Sequence, residues 1–110
     1  MLLFITFALA AGDPAAGQVI YSPNCTACHG QKADGKGPAA VALKPKPTDF
    51  TAPAFWASRK DEDVAGSIRA GKPGTAMSAF AQLSEADVAN IVAYLRSVAA
   101  PAAPPPPATP

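Results

Sequence analysis

Residues 25 to 29 read Cys25-Thr26-Ala27-Cys28-His29, and this pentapeptide holds both cysteines and the only histidine of a 110-residue chain. Random placement would bring the three together at that spacing on the order of once in 6,000 sequences of this composition, so the cluster calls for a chemical explanation. One turn of helix supplies it. Positions i, i+3 and i+4 share a face, so the thiols of Cys25 and Cys28 can add to the two vinyl groups along one edge of a haem while His29 comes up beneath the iron. Two thioether bonds then retain the cofactor even in a domain too small to hold it by packing alone.

Other uses of the pentapeptide are weaker. A dithiol-disulfide oxidoreductase needs a βαβ framework, and no alternating strand pattern of useful length occurs in this Ala-, Gly- and Pro-rich chain. A structural zinc site needs four ligands, and only three Cys and His side chains are present. A plain disulfide leaves the adjacent histidine without a role.

With His29 as proximal ligand, the sixth position is filled by a second side chain, by water or by nothing, and that choice separates electron transfer from ligand chemistry. Met1 and Met77 are the only methionines, and there is no second histidine. Met77 lies in the segment Gly71-Lys-Pro-Gly-Thr-Ala-Met-Ser-Ala-Phe80, between two expected helices. Its thioether is a soft, neutral donor that favours Fe(II) and raises the potential. Without the haem motif the same residue would read as ordinary core filler.

Working outward from the motif, Asp13 and Pro14 are an N-cap and a first helical residue for a short helix over Pro14 to Tyr21. A helix is expected over Asp61 to Ala70, with three acids in its first turn and Gly71 after its end. A longer one covers about Glu85 to Ala99. It opens on Ser84 and Asp87, a variant of the capping box, and sets Val88, Ile91, Tyr94, Leu95 and Val98 on one apolar face. The segment from Gly30 to Phe55 carries Gly35, Gly37, Pro38, Pro45, Pro47 and Pro53 and reads mostly as loop.

Residues 1–11 are apolar except Thr6 and end in the small-x-small run Ala8-Leu9-Ala10, the form of an export signal. They are too short to span a bilayer, which takes about 20 apolar residues, and they lack the basic start that such a signal carries. An uncleaved anchor is the other reading. Six of the 13 prolines fall in residues 101–110, an extended Pro-rich tail that serves as a spacer or is dispensable. Between these ends, residues 12–100 form one domain. Its charge is near balance at +1, which excludes nucleic-acid binding driven by net charge. With eight aromatic residues in all, and two of those in the leader, a cofactor would complete a core this small.

From about Gly12 to Ala99 the chain resembles a class I cytochrome c, most like the short bacterial periplasmic members. The residues carrying the resemblance are the haem motif, Gly17 and Tyr21 before it, Gly37-Pro38 after it, the Met77 loop with Phe80, and Ile91 and Tyr94 on the last helix. The resemblance implies an all-α fold of three to five helices around one covalently attached haem c. It also implies a monohaem electron carrier, not an enzyme, working with redox partner proteins outside the cytoplasm, a membrane-bound oxidase or reductase among them. It further implies that the Pro38 carbonyl accepts the Nδ1 proton of His29 and fixes its tautomer. The chain departs from the lysine-rich mitochondrial proteins, so its Lys44 to Phe50 run and Phe55-Trp56 must line the propionate edge in their own way. Trp56 is expected to donate to a propionate, to wall the haem pocket, or both. A weak or absent Met77 bond would instead suit gas binding or peroxide chemistry, and the tail would suit a haem subunit of a larger respiratory complex. Lys32, Lys36, Lys44 and Lys46 against Asp34 make a local +3, a docking patch for an acidic partner or simply a solvated loop.

Overall fold

The computed structural model describes residues 12–99, so the expected export signal at 1–11 and the Pro-rich tail at 101–110 lie outside the described residues. Four α-helices follow one another: α1 (Pro14–His29), α2 (Pro53–Ala57), α3 (Asp61–Ala70) and α4 (Glu85–Ser97), with a 3-10 turn at Ala40–Ala42. Among the described residues there is no strand, and no helix is long and apolar enough to cross a membrane.

Helix α1 begins as its sequence predicts. The Asp13 carboxylate accepts the Ala15 N–H at 3.0 Å, and Pro14 occupies the first turn. It does not end at Tyr21 but runs through Pro23 to His29, carrying the whole haem motif on one helix. Pro23 removes the donor for the Val19 carbonyl, and Val19 is 75% exposed, on the solvent side of the helix. On either side of the proline, Asn24 Nδ2 donates to the Ile20 carbonyl at 2.8 Å and Thr26 Oγ1 to the Ser22 carbonyl at 2.7 Å. The helix passes its proline where water can replace the lost bond.

Helix α3 has its expected acids in the first turn and Gly71 after its end, with a Lys60 cap that the sequence did not announce, and α4 opens on its expected capping pair. Asp63 accepts the Lys60 N–H at 3.0 Å, and Ser84 and Asp87 exchange side-chain to backbone bonds at 3.0 and 3.2 Å. Of the face expected on α4, Val88, Ile91, Tyr94 and Leu95 are buried, with Val92 added.

The scaffold is the crossing of α1 over α4. A Cβ at Gly17 would stand 1.9 Å from the Asn90 carbonyl oxygen, so the two backbones approach where only glycine fits. Next to this crossing Tyr21 packs against Tyr94 with ring centroids 5.1 Å apart. Tyr21, Ile91 and Val88 are the most deeply buried large side chains, each contributing roughly 1.5–3 kcal/mol of apolar burial. Helix α3 lays Val64, Ala65 and Ile68 onto the same core. Its exposed ion pairs to α4, Arg69 with Glu85 at 2.7 Å and Asp61 with Arg96, add on the order of 0–1 kcal/mol each.

Gly17→Ala therefore forces the helices apart and should destabilise the protein by about 2–3 kcal/mol, a fall in melting temperature of roughly 10 °C or more. Thermal unfolding followed by helical circular dichroism checks this, and an unchanged midpoint would mean that the crossing does not carry the fold.

Candidate functional site

The motif sits on the last turn of α1, where helices usually fray because their final carbonyls lack donors. Here every one is paired. Thr26, Ala27, Cys28 and His29 carbonyls accept from Gly30 N (2.9 Å), Ala39 N (2.8 Å), Gly37 N (3.0 Å) and Gly35 N (2.8 Å). The loop after the motif thus folds back over the helix end, and the Tyr21 hydroxyl ties it down by donating to the Gly30 carbonyl at 2.6 Å. Burial raises the Tyr21 phenol above its ordinary pKa and keeps it a neutral donor. At Gly37 the approach is so close that a Cβ would stand 2.4 Å from the Ala27 oxygen.

Cys25, Cys28 and His29 face a cavity of about 380 Å³, and Met77 lines the same cavity. That volume falls within the roughly 300–1,000 Å³ of cofactor sites. Its walls are largely apolar, with Leu43, Phe50, Phe55, Val64, Ile68 and Phe80, and they also include the cations Lys46, Arg59 and Lys72 against the single carboxylate Asp63. Two free thiols, an imidazole and a largely apolar cavity that also carries three cations fit a covalently attached haem with its two propionates, and the Met77 thioether lines the same cavity.

Burial pushes the Cys25 thiol up to about 11, helped by the neighbouring Cys28. Burial also lowers the His29 pKa, with Lys72 adding to the effect and a backbone carbonyl opposing it. His29 is therefore neutral at physiological pH. Its Nδ1 lies 3.2 Å from the Thr48 carbonyl, which can only accept, so the proton belongs on Nδ1 and the Nε2 lone pair is free for a metal.

This geometry corrects one expectation. The acceptor for His29 is the Thr48 carbonyl, not that of Pro38. Pro38 is exposed and borders a shallow depression with Lys32 and Lys36, while its neighbours Gly37 and Ala39 supply the N–H groups that close α1. Trp56 does not line the cavity. Its indole N–H donates to the Phe50 carbonyl at 2.9 Å, and its ring packs edge-on against Phe55 and beside Phe50, both of which line the cavity. Phe50, 8% exposed and 5.0 Å from the His29 ring, belongs to the Lys44 to Phe50 run expected at the propionate edge, but nothing in that run marks its contact with the imidazole. The role of the Thr48 carbonyl is equally unmarked, since nothing in an isolated Pro-Thr-Asp-Phe run says which helix it will meet.

The loop holding Met77 is closed by its own bonds. Met77 N–H donates to Thr75 Oγ1 at 3.1 Å, and the Met77 carbonyl accepts from Lys72 N at 3.1 Å. Phe80 N–H reaches back to the Ile68 carbonyl on α3 at 2.9 Å.

Comparison with known proteins bears on this site. The family model for cytochrome c matches residues 14–99. Cytochrome c-554(547) of Halothiobacillus neapolitanus is 35% identical over 94 residues, covering 80% of this chain and 99% of its own. The structure is similar to cytochrome c6 of the diatom Phaeodactylum tricornutum, with TM-score 0.58 and 28% identity over 80% of this chain and 95% of that one. It is also similar to a chain of the reducing HAO-like protein complex of Kuenenia stuttgartiensis, with TM-score 0.67 and 28% identity over 76% of this chain and 41% of that one. The present chain thus spans about two fifths of that larger chain's length.

Gly37→Ala should lift the loop from the end of α1 and cost about 2–3 kcal/mol, whereas Pro38→Ala, at an exposed position, should cost less than about 1 kcal/mol. Denaturant unfolding of the two variants checks the contrast, and equal losses would show that the helix end is not closed through Gly37.

Proposed function

The chain belongs to the cytochrome c family and is a haem c electron-transfer protein; from that premise we propose that it carries one haem, ligated by His29 and Met77, and shuttles single electrons between redox proteins. The observation that carries this reading is that Cys25, Cys28, His29 and Met77 all line one apolar cavity. When bound, the haem supplies a one-electron Fe(III)/Fe(II) couple. Cys25 and Cys28 fix its position through thioethers, and His29, neutral and oriented by Thr48, presents Nε2. Met77 offers its thioether from a loop whose hydrogen bonds hold it at the cavity. Lys46, Arg59 and Lys72 provide counter-charge for propionates.

No substrate is transformed on this reading, and the partners are proteins. Similarity to a chain from a redox complex supports that class, a membrane-bound oxidase or reductase being the candidate kind. Gas binding or peroxide chemistry would use the same cysteines and histidine but needs Met77 off the metal. Export to the periplasm is proposed from the apolar residues 1–11, and intact mass should then show a chain starting near residue 11 or 12, heavier by one haem. Full-length protein without haem in the cytoplasm would overturn that.

Met77→Ala decides between the two chemistries. With the soft ligand removed, the iron should become partly high-spin and bind carbon monoxide when reduced. Its potential should fall on the order of 100 mV or more. Helical circular dichroism should stay near wild type, because His29 and both thioethers remain. A variant with an unchanged visible spectrum and potential would mean that Met77 is not the ligand.

A further inference from the structure

The stretch from Thr48 to Phe50 is pinned at three points although it belongs to no helix. The Thr48 carbonyl faces His29 Nδ1 at 3.2 Å, the Phe50 N–H donates to the Ala33 carbonyl at 2.8 Å, and the Phe50 carbonyl accepts the Trp56 indole N–H at 2.9 Å. Trp56 is itself held: the Arg96 guanidinium stacks 4.6 Å from its ring centroid, and Arg96 is paired with Asp61. The indole on α2 is thus met by Arg96 of α4, which Asp61 of α3 holds in place. That indole grips a backbone carbonyl two residues from the one that meets the imidazole.

We propose that Trp56 is a positioning residue: its N–H, by fixing the Phe50 carbonyl, sets the Thr48 carbonyl against His29 Nδ1–H and so tunes the basicity of Nε2 and the redox potential. The proposal rests on His29 being the haem ligand. A firm Nδ1–H···O bond makes imidazole a stronger donor, which favours Fe(III); loosening it weakens the donor and favours Fe(II). The indole has a single hydrogen, so an N–H bonded to Phe50 is not available to a propionate. The two uses also have opposite electrical signs. A propionate that loses a donor presents its negative charge more fully to the iron, which favours Fe(III).

Trp56 is the only tryptophan, so supplying the tryptophan analogue β-(3-benzothienyl)alanine during expression exchanges one N–H for sulfur at this position alone. The haem-loaded protein is titrated at a pH where the propionates are ionised. The Fe(II):Fe(III) ratio at fixed ambient potential should rise roughly twofold, about half the net worth of a typical hydrogen bond. In the reduced protein the His29 Nδ1–H should exchange with solvent faster, and Trp56→Phe should shift both readouts the same way. A fall in the ratio would overturn the proposal in favour of a propionate contact. An unchanged ratio with unchanged exchange, even with a lower melting temperature, would overturn it by leaving the indole a purely structural role. Protein purified without a haem c spectrum would overturn the site assignment and this inference together.

Discussion

Four carbonyl oxygens at the end of α1 determine what this molecule can hold. A helix terminus is where backbone order is weakest, because the final turn lacks donors. The motif needs the opposite, since two thiols and an imidazole share a face only while the turn stays helical. Residues 30–39 resolve the conflict by returning four N–H groups to Thr26, Ala27, Cys28 and His29. That return path requires the loop to lie almost on the helix backbone, which is why position 37 has no side chain. Tyr21 then joins this closed end to the core through its hydroxyl, so the rigidity of the motif and the packing of α1 on α4 are one structure.

The described residues divide between a scaffold that needs nothing else and a cavity wall that does. Tyr21, Val88, Ile91 and Leu95 are almost fully removed from water by protein alone. Leu43, Phe55, Met77 and Phe80 are only half-buried, and all four line the cavity. In a domain of this size, apolar surface left facing a slot is a large share of what the chain could bury. A haem in the slot would complete the burial, and covalent attachment makes that completion permanent. Protein packing and the cofactor site are then successive layers of the same core.

What could be read from the sequence was local. The bounds of α3 and the start of α4 followed from acids in a first turn, a Ser-Asp capping pair and a helical apolar period, all of which act within a few residues. The Cys25, Cys28, His29 cluster was legible because its spacing matches one helical turn. The length of α1 was not, because whether a helix ends at Pro23 or carries it depends on relief of the ring clash with the Val19 carbonyl and on a new partner for that carbonyl, and the exposure of Val19 is a property of the fold. Thr48 and Phe50 lie in a run expected only to line the propionate edge, and their particular contacts were illegible for a related reason. Their roles are hydrogen bonds to His29, Ala33 and Trp56, set by where a proline-rich segment is laid down, and no periodicity marks them. Trp56 is legible as a donor from residue type alone, whereas its Phe50 acceptor is set by tertiary structure.

His29 and Met77 approach the cavity from elements anchored in different ways, and single-electron exchange makes both anchorages matter. An electron moves quickly only if the metal surroundings are nearly the same before and after, so each ligand must resist being pushed as the charge changes. On one side, His29 is held by a capped helix end, by the Thr48 carbonyl and by the Phe50 ring. On the other, the Met77 backbone has both its N–H and its carbonyl occupied within its own loop, and the next anchor is Phe80 on the Ile68 carbonyl. Under the proposed ligation the iron would sit between a helix that cannot fray and a loop that has little freedom left. The loop remains the weaker clamp, because its bonds span only a few residues at partly exposed positions, whereas those on α1 reach into the buried core. Any loss of the six-coordinate state should therefore begin at Met77 and spare His29. The residue that separates electron transfer from ligand chemistry is thus also the one whose hold the fold can most readily relax.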